Sequence, residues 1–350
     1  MNRIYRIVFN RSTGHRQAVS ETARGTSGGS AATMATASAL ALAGLLMMPL
    51  TVQAADVYWG SGFSGYWFQP ANWIGGVVPG AADNATIGNG TGAQLYGLGA
   101  DAKVQYFELG NGAESSLTIF DRATLTMGLG VLGSYNRANI NISGTGSMLR
   151  STGLLRLGAR DYGLMNLSAG ASVSSGALSM GVAATGVGAI NMTGQGTSLN
   201  TGSSLIVGES GRGYLDVTNA SSVTSGSATV GANGGASGQV YVRQSDSRWN
   251  IAQGLVMGES AGSDGSLQVT QSGAVDIAGA LVVGQSGRGN LGVFNGSLAA
   301  GETSVAQYQG GYGVLSVSGA TATFQNNGNL HVGISNTLVS GGATGPAAVG

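Results

Sequence analysis

The chain has 350 residues, with 64 glycines, 4 prolines, no cysteine and a formal net charge of zero. The lack of cysteine excludes disulfide scaffolds and thiol catalysis, and the 42% hydrophobic content argues against a disordered low-complexity chain. Collagen is excluded because the glycines have no three-residue period. The class that remains is a folded, glycine-rich, all-β protein.

The zero net charge hides an asymmetry between the two sides of residue 54. Five arginines and one glutamate lie before it, and 10 basic and 14 acidic residues follow it. A mildly acidic body is a poor ligand for a phosphate backbone. We therefore expect no nucleic acid among the partners.

An export signal occupies the N-terminus. Residues 1–30 are basic and polar, and residues 39–50 form a 12-residue apolar run. Val52 and Ala54 then place small side chains at the −3 and −1 positions before Ala55. A membrane-spanning helix needs about 20 apolar residues, more than this run supplies. We predict a cleaved extended signal peptide over residues 1–54. Ala54 and Ala55 are the residues at the cleavage site, and the sequence allows either of them to end the signal.

The polar stretch ahead of the apolar run contains a recognisable sequence motif. It reads MNRIYRIVFNRS over residues 1–12 and VSETARG over residues 19–25. This motif resembles the extended signal peptide region of the bacterial autotransporter (type V secretion) family. The resemblance implies export by the inner-membrane secretion machinery of a Gram-negative cell. It also implies passage through the periplasm, followed by display at the cell surface or release.

Residues 55–100 form an aromatic lead-in that contains Trp59, Trp67 and Trp73. The segment resembles the opening of many autotransporter passengers. A solenoid must cover the open end of its core, so we predict that these tryptophans form an N-terminal cap. The alternative is that the rings stack on sugars.

Residues 101–350 contain a repeated motif, a short apolar strand that ends in glycine. Nine copies and one degenerate copy over residues 303–306 recur about every 25 residues, a period typical of solenoids. The nine glycines are Gly110, Gly133, Gly158, Gly181, Gly208, Gly231, Gly258, Gly284 and Gly333.

Each copy reads as three short strands separated by turns. In one copy, Leu215, Val217 and Val223 alternate with polar residues and are predicted to point inward, whereas Asp216 and Thr224 point outward. We predict an all-β, right-handed parallel β-helix of about ten rungs. A propeller blade needs about 40–45 residues and fits less well. The repeats also resemble the β-helical passenger repeats associated with autotransporters.

Candidate chemistry is sparse in this sequence. We predict no catalytic, cofactor-binding or metal-binding residue, and His331 is interpreted as a strand residue without a partner. Glu209 and Glu259 occupy the same repeat position, which we interpret as a consequence of the repeat. Three turn arginines are candidates for gripping an acidic glycan or matrix component, although a solvated surface role is the simpler interpretation. They are Arg160, Arg212 and Arg288.

These features favour a non-catalytic autotransporter passenger, a structural or adhesive surface rod for cell adhesion, autoaggregation or biofilm contacts. Its expected partners are a host surface, glycans, matrix or other copies of itself. A secreted β-helical polysaccharide lyase or hydrolase is the alternative. Autotransporters end in an outer-membrane β-barrel that this sequence does not include, so we expect a chain truncated at its C-terminus.

Overall fold

The computed structural model describes residues 5–10, 15–20 and 54–333 of the chain. The chain divides into two units at residues 52 and 53. In the first unit, strands β1 (Tyr5–Asn10) and β2 (His15–Ser20) pair as an antiparallel hairpin. The predicted apolar run over residues 39–50 lies outside the described residues. No helix within the described ranges is long and apolar enough to span a membrane.

The second unit is a parallel β-solenoid built from two sheets. Its strands are β3 (Asp56–Tyr58), β4 (Gly65–Tyr66), β5 (Asn84–Ile87), β6 (Gly92–Leu95), β7 (Asp101–Leu109), β8 (Ser115–Ile119), β9 (Thr124–Leu132), β10 (Ala138–Ser143), β11 (Met148–Leu157), β12 (Tyr162–Ser168), β13 (Ser172–Met180), β14 (Val187–Thr193), β15 (Ser198–Val207), β16 (Arg212–Thr218), β17 (Ser222–Val230), β18 (Ser237–Arg243), β19 (Arg248–Ile251), β20 (Leu255–Met257), β21 (Asp264–Thr270), β22 (Ala274–Val283), β23 (Arg288–Phe294), β24 (Ser297–Val305), β25 (Tyr312–Ser318), β26 (Thr323–Asn326) and β27 (Leu330–Val332). A 3-10 helix spans Pro70–Asn72.

Successive strands along the chain alternate between the two sheets, so each rung contributes to both. Sheet I has eleven strands in the order β25-β23-β21-β18-β16-β14-β12-β10-β8-β6-β4, and sheet II has fourteen, including β20 and β27. Every strand in both sheets pairs in parallel with its counterpart one rung away, as in β14 with β16. The predicted parallel β-helix is therefore confirmed. It has about eleven turns, because residues 56–95 already contribute strands to both sheets.

Three straight segments make up one rung, as predicted, but two of them usually form one bent strand. In β11, for example, the register with β13 shifts between Ser151 and Leu154, and Gly153 lies at the bend. In two rungs the same bend separates the strands completely, giving β19 with β20 and β26 with β27. A bend at glycine lets the chain turn the corner while both halves keep pairing with the neighbouring rung.

The predicted interior and exterior positions are confirmed. Leu215, Val217 and Val223 are fully buried, whereas Asp216 is partly exposed and Thr224 is exposed. Stacking repeats this pattern, so equivalent inward positions form columns along the core. One such column in sheet I contains Leu117, Ile140, Met165, Ile190, Leu215, Val240, Leu267 and Leu291.

The repeated glycines end the strands of sheet II in a left-handed conformation. All nine have positive φ, from +61° at Gly258 to +80° at Gly208. A residue with a β-carbon is strained there, which explains why glycine recurs. The degenerate copy keeps the same left-handed conformation without glycine, because Ala306 occupies the equivalent position with φ of 56°.

Candidate functional site

The predicted turn arginines lie at the corner where each strand of sheet I begins. The first residues of seven successive strands are in register there, and we call this set the corner column. Adjacent members are about 4.8 Å apart along the solenoid because they belong to neighbouring parallel strands. The corner column contains Tyr162, Val187, Arg212, Ser237, Asp264, Arg288 and Tyr312.

Glycines on both sides of Arg212 allow the chain to pass this corner. A β-carbon on Gly211 would lie 2.3 Å from the carbonyl oxygen of Gly186 in the preceding rung, and one on Gly213 would lie 2.2 Å from the nitrogen of Gly208 in the same turn. The same is true around Arg288, where a β-carbon on Gly287 would lie 2.5 Å from the carbonyl oxygen of Ser260. The Ser-Gly-Arg-Gly motif therefore forms a tight corner, and its arginine side chain projects into solvent.

The structure places the three predicted arginines at this corner but not all in one column. Arg212 and Arg288 are both members of the corner column, three rungs apart, which corresponds to about 14 Å. Arg160 lies in the turn just before Tyr162. All three side chains are exposed, so each can reach a partner in solution.

Tyrosine rings support the arginines of this corner. The guanidinium carbon of Arg160 lies 4.7 Å from the ring centre of Tyr135, and that of Arg288 lies 5.2 Å from Tyr312. Arg137 stacks in the same way on Tyr162, at 4.9 Å. A guanidinium held on an aromatic face keeps its N–H edge free for a carboxylate or sulfate.

These tyrosines and Arg137 are absent from the residues predicted from sequence. Each pair joins one rung to the next, so its members are about one repeat apart: Tyr135 with Arg160, Arg137 with Tyr162, and Arg288 with Tyr312. An arginine that recurs one period from a tyrosine is the sequence signal that would have identified them.

An outward row of asparagines follows the middle of sheet I. The Nδ2 atom of Asn166 donates to Oδ1 of Asn141, and Nδ2 of Asn191 donates to Oδ1 of Asn166, both at 2.9 Å. The next position in the row is Asp216, whose carboxylate binds Arg243 through Nε at 2.9 Å and Nη2 at 2.6 Å. This row is continuous and polar, and it lies on the same sheet as the corner column.

Glu209 and Glu302 pair with side chains on neighbouring rungs. Glu209 accepts a hydrogen bond from Ser179 Oγ. Glu302 pairs with His331, Oε1 to Nε2 at 3.2 Å, so the prediction that His331 has no partner is wrong. Among residues 54–333, no group of three or more His, Asp or Glu side chains is placed to hold a metal ion.

The three lead-in tryptophans lie inside the first rungs. Trp59, Trp67 and Trp73 are at most 2% exposed, and the ring of Trp73 packs edge-on against both Trp59 and Trp67 at about 5 Å between centres. The indole nitrogen of Trp73 donates to the carbonyl oxygen of Trp67 at 2.7 Å. Buried rings offer no face to a sugar, so this arrangement favours the cap over the sugar-stacking alternative. The cap itself stays a prediction, as do the domain boundaries.

Comparison with known families identifies the N-terminus. Residues 1–50 match the family model described as the Extended Signal Peptide of Type V secretion system. No curated protein and no solved structure matches the chain significantly. The predicted extended signal peptide is therefore confirmed as a type V secretion signal, and it is followed by a parallel β-solenoid. This arrangement fits an autotransporter passenger.

Proposed function

We propose that this exported chain, with a type V secretion signal ahead of a parallel β-solenoid, is a non-catalytic passenger that acts as an adhesive rod at the surface of a Gram-negative cell. The observation that carries the proposal is the register of the rungs, which repeats the same outward positions along one side. A ligand with its own repeat can then make many weak contacts at once, and their combined affinity far exceeds that of each contact.

The arginines at and beside the corner column indicate the chemistry of that ligand. Arg137, Arg160 and Arg288 are stacked on tyrosines and exposed, and Arg212 lies exposed between them. Arginine binds carboxylate and sulfate groups through paired N–H donors. We propose an acidic glycan, on a host surface or in a biofilm matrix, as the partner of this corner.

The engaged carboxylates favour a binding role over catalysis. Glu209, Asp216 and Glu302 each have a partner on a neighbouring rung. Hydrolysis of a glycoside needs two carboxyl groups on opposite sides of one cleft, with one free to donate a proton. The partners of these carboxylates instead tie one rung to the next.

The test uses cells that carry the complete natural gene. Surface exposure is measured as the decrease in the amount of undigested solenoid when intact cells are treated with protease. Adhesion is measured as retention of the cells on immobilised acidic and neutral polysaccharides. We expect retention on the acidic polymer and a fall of at least about tenfold when Arg137, Arg160 and Arg288 are changed together to alanine.

The matched control changes three exposed arginines of sheet II, Arg150, Arg156 and Arg248, to alanine. It removes the same charge, so a purely electrostatic effect would lower retention equally in both variants and would contradict the corner as the site. Release of soluble oligosaccharides from the polymer would instead support the carbohydrate-active enzyme.

A further inference from the structure

Asp83 binds two backbone N–H groups at the start of the solenoid. Its Oδ2 accepts from the nitrogen of Gly80 at 2.8 Å, and its Oδ1 accepts from the nitrogen of Ala55 at 3.1 Å. The pairing of β3 with β5 sets Asp56 opposite Asn84, which places Ala55 level with Asp83. Ala55 also accepts a hydrogen bond, from the nitrogen of Asn84 at 2.8 Å. Ala55 is thus fixed in the first rung through both of its backbone polar groups.

The nitrogen of Ala55 is also the atom that the predicted cleavage would release. We propose that the mature chain begins at Ala55 and that the carboxylate of Asp83 binds its new α-ammonium group. The inference rests on the predicted cleavage site and does not depend on adhesion. In the cleavage step, water breaks the bond between the carbonyl carbon of Ala54 and the nitrogen of Ala55. Ala54 leaves as a carboxylate, and the nitrogen of Ala55 takes up protons to become an ammonium group.

Cleavage strengthens the contact that already exists. The intact chain offers Asp83 one neutral amide N–H, whereas the mature chain offers a positive charge and three donors. The other charged groups nearby are Asp56, which accepts a hydrogen bond from Asn84 Nδ2 at 2.8 Å, and the ion pair between Lys103 and Asp101. Asp83 is the carboxylate in direct contact with the nitrogen of Ala55.

The position of the cut decides whether this contact can form. Ala54 and Ala55 are both exposed, and β3 begins at Asp56. A cut after Ala55 would remove Ala55 together with both of its hydrogen bonds to the β5 side. Cleavage after Ala54 keeps them, so the longer of the two mature chains has the more stable first rung.

The chain provides its own reference for a labelling experiment. Lys103 is the single lysine among these 350 residues, so its Nζ is an internal reference amine that a peptide-level measurement distinguishes from the α-amine. The exported protein is purified from cells, and the mass of its N-terminal peptide is measured. It is then treated with limiting acetic anhydride near pH 7, and acetylation of each amine is measured by mass spectrometry. A carboxylate beside the ammonium group holds its proton and slows acetylation.

We expect an N-terminus at Ala55 and α-amine labelling that is about two- to fivefold faster in D83N than in the natural protein, with Lys103 unchanged. The matched control D56N removes a neighbouring carboxylate and should leave both rates unaltered. In case D83N does not fold, the natural protein is also labelled in denaturant against an added peptide, and its α-amine should then speed up by the same factor. A different N-terminus, or equal α-amine rates in the folded and unfolded protein, overturns the proposal.

Discussion

A β-carbon on Gly188 would lie 2.5 Å from the carbonyl oxygen of Leu157, where one rung passes over the previous one. Gly188 belongs to a buried column in sheet I in which every member from Gly163 to Gly313 is glycine. The column runs beside the left-handed glycines that end the strands of sheet II. Two sets of glycines therefore let the backbone of successive rungs approach closely at one corner.

We expect glycine-to-alanine changes to have very different costs at different corners. Gly133→Ala adds a β-carbon at φ of +68° and 2.7 Å from the carbonyl oxygen of Tyr162, so strain and overpacking together should cost about 2–5 kcal/mol. Gly235→Ala meets open space at φ of +85° and should cost about 1–2 kcal/mol. Denaturant unfolding of the variants measures these free energies.

The control for this series is Gly202→Ala. Gly202 is exposed, and its β-carbon would have its nearest neighbour at 3.6 Å, so the change should be neutral or stabilise by up to about 1 kcal/mol. Equal costs at Gly133 and Gly202 would show that crowding at the corner does not set the role of glycine.

Trp249 fills the core where the neighbouring rungs place Val223 and Val275. It is fully buried, and its Nε1 donates to Ser225 Oγ at 3.1 Å. Trp249→Ala should lower the unfolding free energy by about 3–5 kcal/mol because it leaves a large cavity. Ser225→Ala should cost about 1–3 kcal/mol, because the buried indole N–H loses its acceptor. A smaller loss for Trp249→Ala than for Ser225→Ala would contradict this account.

The row of asparagines should contribute modestly to stability. Asn166→Ala removes two side-chain hydrogen bonds, one to Asn141 and one from Asn191, and should cost about 1 kcal/mol. Asn200→Ala is the matched control, since Asn200 is exposed on β15 and its side chain makes no hydrogen bond. Thermal unfolding midpoints that fall by the same amount in both variants would mean that the hydrogen bonds of the asparagine row do not contribute to stability.

The phenol of Tyr106 should make the solenoid sensitive to alkali. Burial raises its pKa above the ordinary value of 10, and the charge of Glu108 acts in the same direction. The unfolded chain therefore loses this proton first, so stability is complete below about pH 10 and falls as the pH rises further.

Replacement of Tyr106 by phenylalanine tests this sensitivity. Tyr106→Phe should lose less stability between pH 9 and pH 11 than the natural protein, whereas Tyr241→Phe, at an exposed position, should behave like the natural protein. Unfolding in denaturant at a series of pH values measures the difference, and parallel curves for all three proteins would refute it.

Much of the fold was predictable because the repeat marks positions that depend only on the backbone. The glycine at the end of each copy marks the end of a strand of sheet II, and the alternation around Leu215 predicts the inward face. The bend at Gly153 was not predictable in the same way. Gly153 has no positive φ, and in a chain with so many glycines nothing in the sequence distinguishes it from the others. The sequence therefore does not show that two segments of a rung form one bent strand.

The site was harder to predict because its contacts depend on the register between rungs. The turn sequence points to Arg160, but the stacking of its guanidinium on Tyr135 depends on which residues of two turns face each other. The turns differ in length from copy to copy, from Gly158–Asp161 to Gly181–Gly186, so the spacing alone does not identify those partners. The sequence gives no signal for Asp83 for the same reason, since Ala55 reaches it through the pairing of β3 with β5.

The parallel pairing of successive rungs also has a mechanical consequence. The hydrogen bonds of both sheets point from one rung to the next, so a force that pulls along the axis loads the rungs in series. The weakest junction would yield first, and its neighbours would keep their bonds. Each rung that opens would release about 25 residues, or roughly 80 Å of extended chain. A solenoid built in this way would lengthen in steps under tension and would absorb work before it broke.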